Sequence, residues 1–156
     1  MDAKNVAVQA AREFLGRARE LQAGIANKRH RIEMLRNMAT STTGTMSDMP
    51  RSDSPNLQRM ETVLCKAADL EIEVAGDMAR LVEAKQEITA AIGELTEYRE
   101  QEVLYYRYVE CMPWAAIATE CGYHRRTIMK RHEDGIAHVA VALEKTGHIK
   151  GTPMAL

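Results

Sequence analysis

The sequence predicts an all-α protein in which a long helical, coiled-coil-like hairpin precedes a C-terminal helix-turn-helix domain. Three observations lead to this fold class. Aromatic residues make up only 4% of the 156 residues, and ten methionines accompany abundant Ala, Leu, Glu and Arg, a composition that favours helices over sheets. Apolar residues recur at coiled-coil spacing along two long segments. Pro113 and Gly122 then divide the C-terminal part into shorter helices.

Composition also excludes several classes of protein. The net charge is −1, from 21 basic and 22 acidic residues, so the chain is neither a uniformly basic nucleic-acid coat nor an acidic disordered tail. No apolar run reaches the ~18–20 residues of a membrane span, and residues 1–20 lack the apolar core of a signal peptide. The three cysteines, Cys65, Cys111 and Cys121, form no CxxC pair, which favours free thiols in a reducing compartment. We therefore expect a cytoplasmic protein without a membrane partner.

Residues 1–97 are predicted to form the helical hairpin. In the first helix the core positions are spaced by alternating fours and threes and are broken only by a lysine: Ala7, Ala11, Phe14, Ala18, Leu21, Ile25, Lys28, Ile32, Leu35 and Ala39. In the second helix the same spacing gives ten apolar positions out of twelve: Leu57, Met60, Leu64, Ala67, Glu71, Val74, Met78, Leu81, Lys85, Ile88, Ile92 and Leu95. A 3.5-residue repeat of this length is typical of coiled coils. The net charges, +4 over residues 1–38 and −6 over 57–102, favour pairing of the two helices, although a second subunit could equally supply the partner.

Residues 39–56 separate the two helices and are predicted to be a flexible linker. Ser, Thr, Gly, Pro and Asp dominate this segment, and it contains no periodic apolar pattern. At the other end of the chain, residues 148–156 are predicted to be a tail.

Residues 98–147 are predicted to form the C-terminal domain. A first helix leads up to Pro113, which cannot continue a helix interior but suits the first turn of a new one. That new helix is two turns long and ends at Gly122, a residue suited to the position after a helix. A last helix opens near His124 after a turn of about three residues and ends at Gly147. Two helices joined through such a glycine-containing turn are the layout of a helix-turn-helix.

The last helix divides into a core face and a polar face on a helical wheel. The core face consists of Ile128, His132, Gly135, Ile136, Val139 and Leu143. In a helix-turn-helix the N-terminal part of the second helix enters the major groove of DNA, where Arg and Lys donate to guanine and to phosphates. The candidate DNA-binding residues are therefore those outside the core face near that end: Arg125, Arg126, Thr127, Met129, Lys130 and Arg131.

The segment from Glu102 to Leu143 resembles the C-terminal domain of RinA/ArpU-type phage late transcriptional regulators and the helix-turn-helix of sigma factor region 4. The shared elements are an L-x-x-R-Y segment, an aromatic residue before A-x-I-A, G-Y followed by two arginines, and R-H-x-x-x-I. Their positions are Leu104, Arg107, Tyr108, Trp114, Ala116, Ile117, Ala118, Gly122, Tyr123, Arg125, Arg126, Arg131, His132 and Ile136. Two positions depart from the family: His124 replaces a frequent hydroxyl residue, and Gly135 replaces Ala, at a cost of about 1 kcal/mol in helix propensity.

The resemblance implies a sequence-specific transcriptional regulator that binds double-stranded DNA in the bacterial cytoplasm, as a phage or prophage late-operon activator. RNA polymerase is a candidate partner, and a homo-oligomer is expected because the helical hairpin could supply dimerisation. No catalytic motif, phosphate-binding loop or cofactor motif is present in the sequence, so neither an enzyme nor a cofactor is expected.

Two other functions remain open at this point. The chain could be a phage DNA-packaging factor of the small terminase type, or a coiled-coil adaptor that does not bind DNA. Cys111, Cys121, His124 and His132 lie within 22 residues and suggest a zinc site, but their spacing matches no common zinc finger, so no metal is expected.

Overall fold

The computed structural model describes residues 2–43 and 54–147 of the chain. These residues form α-helices and no β-strand: α1 (Ala3–Thr43), α2 (Ser54–Gly93), α3 (Tyr98–Tyr108), α4 (Trp114–Cys121) and α5 (Arg125–Thr146). The predicted all-α fold class is therefore confirmed for the part of the chain that the structure describes. None of these helices combines the length and apolar character that crossing a membrane requires.

Both long helices extend into residues 39–56, which the sequence analysis assigned to a linker. At the end of α1, Thr40 and Ser41 are helical, and each hydroxyl donates a hydrogen bond of 3.0 Å to a backbone carbonyl of the preceding turn. Residues that favour loops are thus accommodated within the helix. The predicted linker is too long at both ends. Its central part, 44–53, and the predicted tail, 148–156, lie outside the described residues.

The chain divides into two compact units. Among the described residues, the first unit combines 2–20 with 81–147, and the second unit contains 21–80. The boundary predicted from the sequence lies between residues 97 and 98 instead. The difference arises because the first turns of α1 and the last turns of α2 pack within the same unit as α3, α4 and α5, a grouping that hydrophobic periodicity along each helix does not reveal.

In the second unit, α1 and α2 are joined by ion pairs. Lys28 Nζ lies 2.6 Å from Asp77 Oδ2 and 3.2 Å from Glu73 Oε2, and Arg36 forms an ion pair with Glu71. Residue numbers rise along α1 as they fall along α2, so the two segments run antiparallel within this unit. Lys28, the one interruption of the predicted α1 stripe, therefore has a partner of opposite charge across the helix pair.

The apolar stripe predicted for α1 is confirmed, because each of its apolar positions is buried or half-buried. The stripe predicted for α2 is wrong in part. Leu57, Leu64 and Met78 are 56%, 45% and 45% exposed, and Glu71 is also exposed. The buried positions of α2 in the second unit are Ala67, Leu70, Val74 and Asp77. Hydrophobic periodicity does not predict these buried positions because one of them, Asp77, carries a carboxylate, which Lys28 neutralises.

The first unit has its core between α3, α4 and α5. Val103, Ile117 and Ile128, one from each helix, are fully buried and pack together. The next residue of α3, Leu104, is also fully buried, and Gly135 of α5 lies directly against it. This core fixes the orientation of α5, because one face of that helix is enclosed. All six residues predicted for the core face of the last helix are buried: Ile128, His132, Gly135, Ile136, Val139 and Leu143.

Candidate nucleic-acid interface

The turn between α4 and α5 is set by a glycine. Gly122 has a φ of +70°, in the left-handed region that favours glycine, and its N–H donates to Ala118 O at 3.0 Å. The next residue, Tyr123, also donates its N–H to Ala118 O, at 3.3 Å. His124 is extended and leads into α5, but its side chain makes no capping hydrogen bond. The first turn of α5 therefore begins with backbone N–H groups that no side chain of His124 satisfies.

The six predicted DNA-binding residues lie on the first two turns of α5, with differing exposure. Arg125, Arg126 and Lys130 are exposed, whereas Thr127, Met129 and Arg131 are half-buried. None of the four cations forms an ion pair with another described residue. The structure thus brings the predicted cations together at one end of α5, beside the turn from α4.

The electrostatics of this helix end are unfavourable in the chain by itself. The N-terminus of a helix carries the positive end of the helix dipole, so arginines in the first turn are repelled by it. Arg125 and Arg126 occupy that first turn, and no acidic residue accompanies them there. An anion at this position would interact favourably with the arginines, the dipole and the free N–H groups at once.

A cluster of aromatic and basic side chains lies behind this surface. The rings of Trp114 and His132 meet edge to face with centroids 4.7 Å apart, and Arg107 Cζ lies 4.2 Å from the centroid of the Trp114 ring. His132 Nε2 lies 2.6 Å from Tyr108 Oη, so these two groups share a hydrogen bond. The side chains connect α3, α4 and α5 and hold the start of α5 in place.

Burial lowers the pKa of His132 to about 4. The neighbouring charges act in both directions, since Glu133 raises this pKa whereas Arg12 and Arg107 lower it. His132 is therefore neutral near pH 7 and contributes packing and a hydrogen bond, with no positive charge added to the surface. Among the described residues its Nδ1 atom has no hydrogen-bond partner, although Glu133 Oε1 lies 3.5 Å away.

Two arginines near this surface were not among the predicted site residues. Arg107 stacks on Trp114, as described above, and Arg99 Cζ lies 5.7 Å from the ring centroid of Tyr123 in the turn. The sequence contains no local signal for either contact, because stacking depends on distances between different helices. Both arginines lie on α3, whereas the charge pattern of the sequence indicates α5 as the DNA-binding helix.

The structure also corrects the interpretation of Gly135 as a weakness of α5. A Cβ atom at this position would lie 2.9 Å from Leu104 Cδ1, closer than atoms normally approach. The missing Cβ of Gly135 thus leaves room for the Leu104 side chain where α3 and α5 approach each other. One turn further on, His138 Nδ1 and Glu100 Oε2 are 2.6 Å apart and join the same two helices.

The residues considered for zinc do not converge. His132 is engaged by Tyr108, and Cys111 lies before α4 whereas Cys121 lies at its end. Within residues 2–43 and 54–147, no group of three or more His, Cys, Asp or Glu side chains is arranged to hold a metal ion.

Comparisons with protein-family models, with curated proteins and with solved structures found no match to this chain.

Proposed function

We propose that this protein is a sequence-specific DNA-binding transcriptional regulator in which α4, the turn at Gly122 and α5 act as a helix-turn-helix. The observation that carries the proposal is the group of unpaired cations at the start of α5. Arg125 and Arg126 lie at the positive end of the helix dipole, where an anionic partner would compensate for the unfavourable interaction. In a helix-turn-helix this end of the second helix meets the major groove.

The assigned roles follow from exposure and residue type. Arg126 and Lys130 are exposed, one turn apart, and are proposed to contact base edges or phosphates. Arg125 and Arg131 are proposed to contact phosphates, with Thr127 and Met129 as secondary contacts to bases. Trp114, Ile117 and Ile128 hold α4 and α5 in the orientation that this requires.

The resemblance to RinA/ArpU-type regulators and to sigma factor region 4 supports a role in phage or prophage late transcription. On this proposal α1 and α2 form a helical hairpin, the C-terminal domain binds DNA, and RNA polymerase is a candidate partner. The protein acts without catalysis or a cofactor and works in the bacterial cytoplasm.

Self-association is the remaining part of the proposal, and the proposed partner is a second copy of this chain. In the second unit, Leu57, Leu64 and Ile72 of α2 are 56%, 45% and 72% exposed. Leu57 and Leu64 are one heptad apart, and Ile72 follows eight residues later, close to the spacing that coiled-coil partners use. A second α2 presents the same spacing and the same apolar side chains, which supports a symmetric contact.

The test distinguishes sequence-specific contacts with bases from nonspecific electrostatic attraction to DNA. Selection of bound duplexes from a random-sequence library with the full chain supplies the preferred site. We expect Arg126→Ala to cost about 1–3 kcal/mol on that site and much less on a scrambled duplex. We expect Arg131→Ala to weaken binding to both duplexes about equally and to lower the salt slope by about one.

The matched control is Lys145→Ala, since Lys145 is exposed in the last turn of the same helix. Loss of the Lys145 charge should change neither the affinity for DNA nor its salt dependence beyond the general effect of one remote charge. Equal, small losses for Arg126→Ala, Arg131→Ala and Lys145→Ala would contradict the assignment of α5 and favour the coiled-coil adaptor. Assembly of eight or more subunits, measured by light scattering, would instead favour a DNA-packaging factor of the small terminase type.

A further inference from the structure

The second unit has an open groove between α1 and α2, which we name the methionine groove. Its apolar lining residues come from both helices: Met34, Leu35, Met38, Met60, Val63 and Leu70. The groove has two parts, with volumes of about 540 and 570 Å³, and it is continuous because Met38 and Lys66 line both parts. Along α2 it extends from Pro55 to Leu70, a distance of about 22 Å at 1.5 Å per residue.

The floor of the methionine groove is apolar and accessible. Met34 and Met38 lie one turn apart on α1 and are each 54% exposed, with half-buried Leu35 between them. Leu70 of α2 is buried beneath them and closes the floor. Methionine side chains are unbranched and polarizable, so they adapt their shape to an apolar partner. This strip is therefore suited to the apolar face of another element.

The rim of the methionine groove is basic. Three exposed cations line it, and Asp69 is the one carboxylate among its described lining residues; the cations are Arg31, Arg59 and Lys66. None of these four charged groups forms an ion pair with another described residue. The lining thus carries a net charge of +2, although the whole chain has a net charge of −1.

Another groove of the same helix pair has no such excess of charge. Its lining combines apolar residues with two arginines and two glutamates: Arg29, Ile32, Glu33, Arg36, Glu71 and Val74. Arg36 and Glu71 also form an ion pair with each other. The charges of that groove are therefore balanced within the chain, whereas the positive charge of the methionine groove is not compensated by its described lining.

We propose that the methionine groove is the docking site for an amphipathic helix of a partner protein, apolar on one face and acidic along its edges. A groove between two antiparallel helices accepts the side-chain ridge of a third helix, and a length of about 22 Å corresponds to about four helical turns. The acidic edges follow from charge complementarity with the basic rim. At 3.6 residues per turn, Lys66 and Asp69 lie on the far side of α2 from Leu57 and Leu64, so this surface is separate from the proposed self-association face.

The experiment titrates the full chain into a fluorescein-labelled synthetic peptide and measures fluorescence anisotropy. The acidic peptide is about five helical turns long, with leucine at the a and d positions of its heptads and glutamate and alanine elsewhere. A second peptide has lysine in place of every glutamate, and a third has the acidic composition in scrambled order. We expect the acidic peptide to bind at least about tenfold more tightly than either of the other two, because it alone matches both the apolar floor and the basic rim.

Two variants separate the contributions of floor and rim. Met34→Ser removes apolar surface from the floor and should weaken binding of the acidic peptide about tenfold. Its matched control is Met78→Ser, at an exposed methionine of α2 that does not line the groove. Lys66→Glu reverses one charge of the rim and should weaken the same binding at least about threefold, while the lysine peptide gains affinity relative to the acidic one. Its matched control is Lys145→Glu, at an exposed lysine of α5. Since all four positions are exposed, helix content by circular dichroism should equal that of the wild type.

Other occupants of the groove give different results. Equal affinity of the wild type for the acidic and lysine peptides, or equal effects of the variants and their controls, overturns the proposal. A lower oligomer mass of Met34→Ser by light scattering would assign the groove to a second copy of this chain and also overturn it. The same holds if Lys66→Glu weakens binding to a random-sequence DNA duplex and leaves peptide binding unchanged. None of these outcomes depends on the result for Arg126→Ala, so the peptide test and the DNA-binding test can fail separately.

Discussion

At the scale of single residues, Gly135 illustrates how packing can outweigh helix propensity. In an isolated helix, alanine is more stable than glycine by about 1 kcal/mol. In this protein a Cβ atom at position 135 would lie 2.9 Å from Leu104 Cδ1 and 3.2 Å from Leu104 Cγ. Leu104 is fully buried, so it has little room to move away.

We expect Gly135→Ala to lower the stability of the protein. Overpacking of a core typically costs about 1–3 kcal/mol, which exceeds the gain in propensity. The measurement is the free energy of unfolding by urea for both forms. Gly16→Ala is the control, because a Cβ built at Gly16 in α1 meets no atom of the described residues within 4 Å beyond the adjacent backbone of its own helix, and this variant should be at least as stable as the wild type. A Gly135→Ala variant more stable than the wild type would show that α3 and α5 separate at no cost in stability.

Individual residues also show how much of the candidate DNA-binding site could be predicted from the sequence. The helical wheel correctly separated Arg126 and Lys130, which are exposed, from Ile128 and His132, which are buried. That separation depends only on the 3.6-residue period of one helix. The stacking of Arg107 on Trp114 and the close approach at Gly135 depend on the spacing between helices, which no local pattern records.

At the scale of helices, the pairing in the second unit depends on an ion pair within an otherwise apolar contact. Asp77 is buried and Lys28 is half-buried, and their charged atoms are 2.6 Å apart. The hydrogen bond from Lys28 lowers the pKa of Asp77, and the hydrogen bonds with Asp77 and Glu73 raise the pKa of Lys28. A polar pair in such a position favours one register of two helices over its neighbours.

This pair explains why the register of α2 could not be predicted. The apolar pattern offers Met78 as a core position, and hydrophobicity alone prefers it to Asp77. The structure buries Asp77 and leaves Met78 45% exposed, because Lys28 on α1 compensates the carboxylate. The α1 register was predictable since its stripe contains a single charged position. To predict the register of α2, one must know which residue of α2 faces the charge of Lys28.

We expect Asp77→Asn to destabilise the protein at pH 7, because Lys28 loses its nearest opposite charge. The pKa of Asp77 is lower in the folded than in the unfolded chain. The stabilisation is therefore complete above the unfolded pKa, about 4 for Asp, and is lost as the pH falls through the lower folded value. On the alkaline side the raised pKa of Lys28 preserves the pair until the pH exceeds the ordinary range for lysine.

The measurement is the urea midpoint of wild type and variant at pH 7 and at pH 3. We expect a clear difference at pH 7 that shrinks at pH 3, because pH 3 lies below the unfolded pKa of Asp, where the stabilisation by this carboxylate is being lost. Asp69→Asn, at an exposed position of the same helix, should equal the wild type at both pH values. The same difference for Asp77→Asn at both pH values would mean that shape, and not charge, matters at this position.

At the scale of the whole molecule, the exposed apolar side chains of α2 test the proposed self-association. A single chain leaves Ile72, Leu57 and Leu64 exposed on α2. Ile25 of α1 is only 5% exposed and belongs to the interior of the second unit. Substitutions at the exposed apolar positions of α2 therefore test association, whereas a substitution at Ile25 tests folding.

The prediction at this scale compares Leu64→Asp with Ile25→Asp. A charge at Leu64 meets water in the single chain, so helix content by circular dichroism should be unchanged, while the mass measured by light scattering falls from that of an oligomer to that of one chain. A charge at Ile25 enters an apolar contact and should cost about 3 kcal/mol or more in stability. If the wild type has the mass of one chain at micromolar concentration, or if Leu64→Asp keeps the wild-type mass, a second copy does not cover this face of α2. DNA binding measured on Leu64→Asp then separates two requirements, because affinity that persists in the dissociated protein would assign recognition to α5 of a single chain.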